Sequence, residues 1–161
     1  MANKVFIARG TPVVFQESGG DAVITLLNML TGVARVSARY DQGAGSTSEW
    51  WEWRATFQFD TTPVLGESVD LYLALSDGTL EDGDVGTADA AVLTPVLRNL
   101  VFIGSVVVQV ATATVDQRAS GICRIPSRYF SLVVHNNTAD SLENTANVNT
   151  ITMTPIPPEI Q

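Results

Sequence analysis

The chain is short of the side chains that catalysis draws on, with one cysteine, Cys123, and one histidine, His135, in 161 residues. A lone cysteine excludes an internal disulfide, and two Cys/His side chains exclude a self-contained structural zinc site, which needs four ligands. Charge is scarce too, at 16% of residues, where an average soluble domain carries about 25%. No stretch approaches the roughly 18 consecutive apolar residues of a membrane helix. Gly-x-Ser-x-Gly, P-loop and Gly-x-Gly-x-x-Gly signatures are all missing. Any nucleophile would have to rely on His135, and neither residue has a fitting setting. Cys123 sits in an apolar, strand-like stretch and reads as a buried, inert thiol, while His135 ends an apolar strand beside Asn136 and Asn137.

What is present is apolar. Hydrophobic residues make up 45% of the chain and the mean hydropathy is +0.18. A surface so bare of charge is tolerable when partner subunits cover part of it, which predicts an oligomer. The net charge of -8 and pI near 4.4 oppose nucleic-acid binding, because Arg9, Arg35, Arg39, Arg54, Arg98, Arg118, Arg124 and Arg128 are scattered through the sequence instead of clustered. The same acidity repels anionic membranes. At 17.2 kDa the chain suits a single domain, 1–161. The opening Met-Ala-Asn-Lys-Val-Phe-Ile-Ala-Arg-Gly has too short an apolar run before Arg9 for a secretory leader, so the expectation is a protein used without secretion.

Apolar segments are short, rich in Val, Ile, Phe and Thr, and bounded by Gly, Asp, Asn, Ser or Pro, which predicts an all-β fold with no long helix. Strands are expected near 4–8, 12–16, 21–28, 33–40, 50–59, 68–75, 99–110, 120–125, 128–135 and 147–154. Spacing of this kind fits an antiparallel β-sandwich or jelly roll. Alternation is clearest in Trp51, Trp53, Ala55, Phe57 and Phe59, with Glu52, Arg54, Thr56, Gln58 and Asp60 between them. Val69, Leu71, Leu73 and Leu75 repeat the pattern, and a turn at Thr61–Gly66 would make the two strands neighbours. The nearly unbroken apolar run Val101–Val110 predicts a central strand or one covered by another subunit. Residues 76–98 break the rhythm and read as a long loop with a short helix over Thr87–Leu93. The Asn- and Thr-rich connection 136–149 is expected at the surface. The closing Thr154-Pro-Ile-Pro-Pro-Glu-Ile-Gln161 is too rich in proline for a central strand and reads as an extended tail, with Ile156 and Ile160 suited to docking.

Three further patterns bear on chemistry. The acidic loop Asp77-Gly-Thr-Leu-Glu-Asp-Gly-Asp84, with Asp89 beyond, offers oxygen ligands of the kind calcium takes, though without EF-hand spacing; solvated turn carboxylates are the plainer reading. Glu49 and Glu52 beside Trp50, Trp51 and Trp53 invite comparison with a glycosidase pair or a sugar platform, but alternating aromatics of this sort more often form core and subunit interface. Asn136-Asn137-Thr138 matches a glycosylation acceptor, which without a leader marks only a polar turn.

Over most of its length the chain resembles small virion proteins of tailed bacteriophages. The resemblance lies in Gly10-Thr-Pro-Val-Val-Phe-Gln-Glu-Ser-Gly-Gly-Asp-Ala, in Trp53-Arg-Ala-Thr-Phe-Gln-Phe with Val69-Asp-Leu-Tyr-Leu-Ala-Leu-Ser-Asp-Gly-Thr, in Ser127-Arg-Tyr-Phe-Ser-Leu-Val-Val-His-Asn-Asn-Thr and in the Pro-rich end. It implies a jelly-roll-like head decoration, or cement, protein: a homotrimer on the capsid surface, made in the host cytoplasm, with the major capsid protein and itself as partners and no catalytic residue, cofactor or metal. The alternative is a tail-fibre or baseplate module that binds host carbohydrate through Trp50, Trp51 or Tyr40. On the leading reading, 1–16 forms an N-terminal arm or edge strand and 154–161 an extended tail. Capsid contacts fall to Val5, Phe6 and Ile7. Subunit packing falls to Val106, Val108 and Val110, with Trp50, Trp51 and Ile156 as further interface candidates.

Overall fold

The alternation in residues 50–59 sets the architecture. In strand β6 (Trp50–Phe57) the side chains of Trp51, Trp53, Ala55 and Phe57 are buried, while Trp50, Glu52, Arg54 and Thr56 take the other phase. Strand β7 (Ser68–Ser76) buries Val69, Leu71 and Leu73 in the same core. The two strands are not neighbours, contrary to the expectation from the turn between them. Residues 58–67 carry the chain from one sheet to the other, so β6 and β7 belong to different layers that close one core.

The computed structural model describes residues 5–7, 9–44 and 48–160, with side chains outside 5–7 and 158–160. Two largely antiparallel sheets pack as a β-sandwich in one domain. The first has the order β10 (Gln117–Arg124), β6, β12 (Thr150–Pro155), β2 (Val13–Gln16), β3 (Ala22–Val23), with β2 and β3 parallel. The second runs β8 (Ala90–Val92), β4 (Ala34–Val36), β11 (Tyr129–Asn137), β7, β9 (Val101–Val107), and β5 (Tyr40–Asp41) pairs with the start of β11. Strands β1 (Val5–Ile7) and β13 (Pro158–Ile160) form a separate antiparallel ribbon that joins neither sheet. The expected strand at 21–28 is only two residues long. Past Val23 the chain crosses between layers, its carbonyl accepting from Ala38, while Ile24 and Leu26 turn into the core.

The apolar run 101–110 is not a central strand. β9 is the edge of the second sheet, and its apolarity splits between Val106 and Val108, which are buried, and Val101, Phe102, Val107 and Val110, which face out. A bulge at Ile103 shifts the β7 register between Leu71 and Tyr72. Edge β9 lies close to edge β10 of the other sheet, and the Trp53 indole fills the space beneath both. A Cβ on Gly104 would stand 2.4 Å from Trp53 Cζ2, and one on Gly121 2.7 Å from Trp53 Nε1. Only glycine lets the two backbones approach the ring this closely.

The expected helix at 87–93 is instead strand β8 on the edge of the second sheet, followed by a 3-10 turn at Thr94–Asn99 with Pro95 near its start. Together with a tighter turn at Asp82–Asp84 these residues form a lobe over the outer face of the second sheet. Leu97 presses onto Ala34, Val36, Ala74 and Val133, a second small core outside the sandwich, with Val85 and Leu100 packed around it. Asp89 ties the lobe down: its carboxylate accepts from Arg35 Nε (2.6 Å) and Nη2 (2.8 Å) and from the Thr25 hydroxyl (2.6 Å) and amide. Burial works against the charged form of Asp89, but the hydrogen bonds from Arg35 and Thr25 outweigh it and hold its pKa below the usual carboxylate value.

The polar connection 136–149 is less exposed than its composition predicts, since Asn136, Thr138, Leu142 and Asn149 are buried. Their polar atoms are satisfied locally. Asn136 donates to the Met29 and Asp140 carbonyls and accepts from Thr138, and Asn149 accepts from the Gln58 amide. Asn136, the residue a glycan would modify, is therefore inside. The Pro-rich end also begins as structure: Thr154 and Pro155 close β12 beside Glu52 and Trp51. Proline is accommodated there because Pro155 is the strand's last residue, and the ladder continues through Gly10 N–H to the Pro155 carbonyl and Ile156 N–H to the Trp50 carbonyl.

Candidate assembly surface

The residues with catalytic potential are kept apart. Cys123 points into the core from β10, and burial pushes its thiol up to about 12. His135 lies in the second sheet, in phase with the outward Val133. A thiol reagent at about pH 8 is expected to leave Cys123 untouched in the folded protein and to label it fully in denaturant, because a protonated, enclosed thiol is inert. Rapid labelling of the native chain, read by intact-mass spectrometry, would contradict the assigned burial.

The acidic loop uses its carboxylates internally. Asp77 accepts from the Thr79 and Leu80 amides, which lowers its pKa, Asp82 accepts from the Leu75 amide, and Glu81 pairs with Arg39. Among the described residues no three His, Cys, Asp or Glu side chains are grouped as a metal ion would need. Nearby, Arg128 grips Asp41 through two 2.7 Å bonds; with help from the Gly43 amide this lowers the carboxyl to about 2.

The surface that stands out is the outer face of the first sheet. Residues of β6 and β10 in the outward phase are Trp50, Glu52, Arg54 and Thr56, and opposite them Arg124, Ile122, Ser120 and Arg118. Trp50 is 51% exposed and Ile122 65%, and they are diagonal cross-strand neighbours. Thr150, Thr152 and Thr154 of β12 continue the face. Glu52 is shared by Arg9 and Arg54, Arg124 pairs with Glu49, and Arg118 with Asp116. Both glutamates compared above with a glycosidase pair are thus tied to arginines on an open sheet. A depression of about 410 Å³ lies between Arg54 and Arg118, floored by Ala55 and Ala119.

The interface candidates divide accordingly. Trp50 and Val110 are exposed and Ile156 is half-buried where the ribbon leaves the sandwich. Trp51, Val106 and Val108 are core residues of the single chain and offer nothing to a partner. Trp51 is 2% exposed, donates its indole N–H to the Ser48 carbonyl at 2.8 Å and packs edge-on against Phe130 and Tyr40. Tyr40 is half-buried in the same cluster. Val5, Phe6 and Ile7 form β1, paired with Ile160, Glu159 and Pro158. Arg54, Arg124 and Ile122 were missed as surface candidates; the alternation through Trp50 marks β6's outward phase, but only the pairing register places β10 beside it.

No protein-family model matches this chain. The search of curated proteins finds no match either.

Proposed function

We propose that this chain is a structural virion protein of tailed bacteriophages, a jelly-roll-like head decoration protein that sits as a homo-oligomer on the outer capsid surface and stabilises the shell. The observation that carries the reading is the continuity of two features. A sheet face bearing exposed Trp50 and Ile122 among arginines runs, at the Trp50 end of β6, into a ribbon built from both terminal segments that joins neither sheet. Tryptophan and arginine are the residues most enriched in binding hot spots. A two-stranded ribbon is marginal in water by itself and gains stability from a surface to lie on. Such a protein would work without cofactor, its partners being the major capsid protein and its own copies. Modest contacts repeated across capsomer boundaries add up to resistance against internal pressure.

The exposed ring of Trp50 favours a second reading, a tail-fibre or baseplate module that stacks the ring on host carbohydrate. Quantitative mass spectrometry of purified particles separates the two. Hundreds of copies, close to the number of major capsid proteins, are expected for the decoration protein. A handful of copies would move the chain to the tail, and its absence from particles would defeat both readings.

A further inference from the structure

Charge restricts how copies of this chain can meet. The outer face of the first sheet holds four arginines (Arg9, Arg54, Arg118 and Arg124) against three carboxylates (Glu49, Glu52 and Asp116), a balance of +1. That leaves -9 for the rest of a chain whose total is -8. Contact between two acidic surfaces sets like charges against each other, which costs several kcal/mol when they are desolvated. The Arg and Trp face, with its balance of +1, is a surface on which a second, acidic copy can land without that penalty.

The turn that follows β7, leading into the lobe, supplies an acidic counterpart. This turn, Asp77–Asp84, carries Asp77, Asp82 and Asp84 exposed around Leu80, which is itself 73% exposed. Leu80 is held out by the turn that Asp77 caps. An exposed leucine among aspartates is complementary in sign to a Trp50–Ile122 pair whose flanking arginines outnumber its carboxylates.

We infer that the chain associates with itself head to tail, the Trp50–Ile122 seat of one copy receiving the Leu80 turn of the next, with arginines of the seat facing the aspartates of the turn. This deepens the homo-oligomer reading above and rests on it only for self-association. The two surfaces differ, so the contact is heterologous, and the rotation it imposes decides between a closed ring and an open chain.

The test uses the purified full chain and two variants, with mass measured by light scattering across a dilution series. The seat variant is Trp50→Ala with Arg54→Glu; the turn variant is Leu80→Ala with Asp82→Lys. Wild type is expected to associate with rising concentration, less so in roughly 0.5 M salt, where charges are screened within a few ångström. Each variant alone should associate at least about tenfold more weakly, the loss typical of a central interface residue. An equimolar mixture should recover a dimer, because the intact turn of one variant fits the intact seat of the other. Thermal melts confirm that both variants are folded. Wild type that stays monomeric, a turn variant that assembles like wild type, or a mixture that recovers nothing from folded variants would overturn the inference. Assembly as described by a chain absent from particles would defeat the virion reading and leave this contact standing; abundance on particles with a monomer in solution would do the reverse.

Discussion

Trp51→Ala is expected to destabilise the folded chain by about 3–5 kcal/mol, the range for removing a buried aromatic ring, whereas Trp50→Ala, one residue away, should change stability by no more than about 0.5 kcal/mol. Trp51 closes an aromatic cluster with Tyr40, Phe130 and Phe15, and its indole N–H is bonded to the Ser48 carbonyl. Truncation leaves a cavity at the end of the core and an unpaired carbonyl beside it. Trp50 faces away, so its loss removes contact area that only a partner would use. Since small domains have about 5–15 kcal/mol of stability in total, the Trp51 variant should lose a large share of it. Urea titration followed by the fluorescence of the remaining tryptophans measures both effects. A destabilised Trp50 variant beside an unaffected Trp51 variant would reverse the phase assigned to β6.

The second large effect belongs to Gly104. Gly104→Ala places a methyl group 2.4 Å from Trp53 Cζ2, inside any allowed contact, and the ring has nowhere to retreat because Gly121 presses on its Nε1 side. Overpacking in a closed core costs typically 1–3 kcal/mol, and about 3 or more is expected here because Gly104 also holds a φ of +153°, which a residue with a side chain rarely adopts. The specific signature is rescue. Trp53→Phe removes Cζ2 and the indole nitrogen, which is buried without a hydrogen-bond partner among the described residues, so the double variant Gly104→Ala/Trp53→Phe should be more stable than the sum of its parts by about 1 kcal/mol or more. Strict additivity in a denaturation cycle would mean that the two residues do not meet.

Much of the fold is legible in the sequence where burial on one side imposes a period of two. Trp51 to Phe57 and Val69 to Leu73 alternate because each strand has one face on the core and one outside. The logic breaks at β9, where Val, Phe and Ile follow one another. Unbroken apolarity ordinarily signals burial on both faces, yet half of these side chains point out from a sheet edge. Periodicity reports which residues share a face and is silent on what covers that face. The same limit explains why Trp51, Val106 and Val108 could be mistaken for interface: core and interface residues have the same composition. The helix expected at 87–93 failed because Ala90–Val92 found a partner in β4, 50-odd positions earlier in the chain, and pairing of that kind overrides weak local propensity. As for the assembly surface, the exposed phase of β6 is readable, but the meeting of Arg118, Ile122 and Arg124 with it depends on a register between distant segments.

Strand β12 lies between β6 and β2, so the first sheet is two disconnected pieces until residues 150–155 arrive. During synthesis the ribosome therefore holds a chain whose second layer has all its strands while the first has a gap at its centre. A product cut short before residue 150 lacks that strand, exposes apolar Val13, Phe15, Ala55 and Trp53 and is open to proteases and chaperones. Closure of the first sheet therefore waits for residues 150–155, and a copy that lacks them is cleared before its sandwich forms.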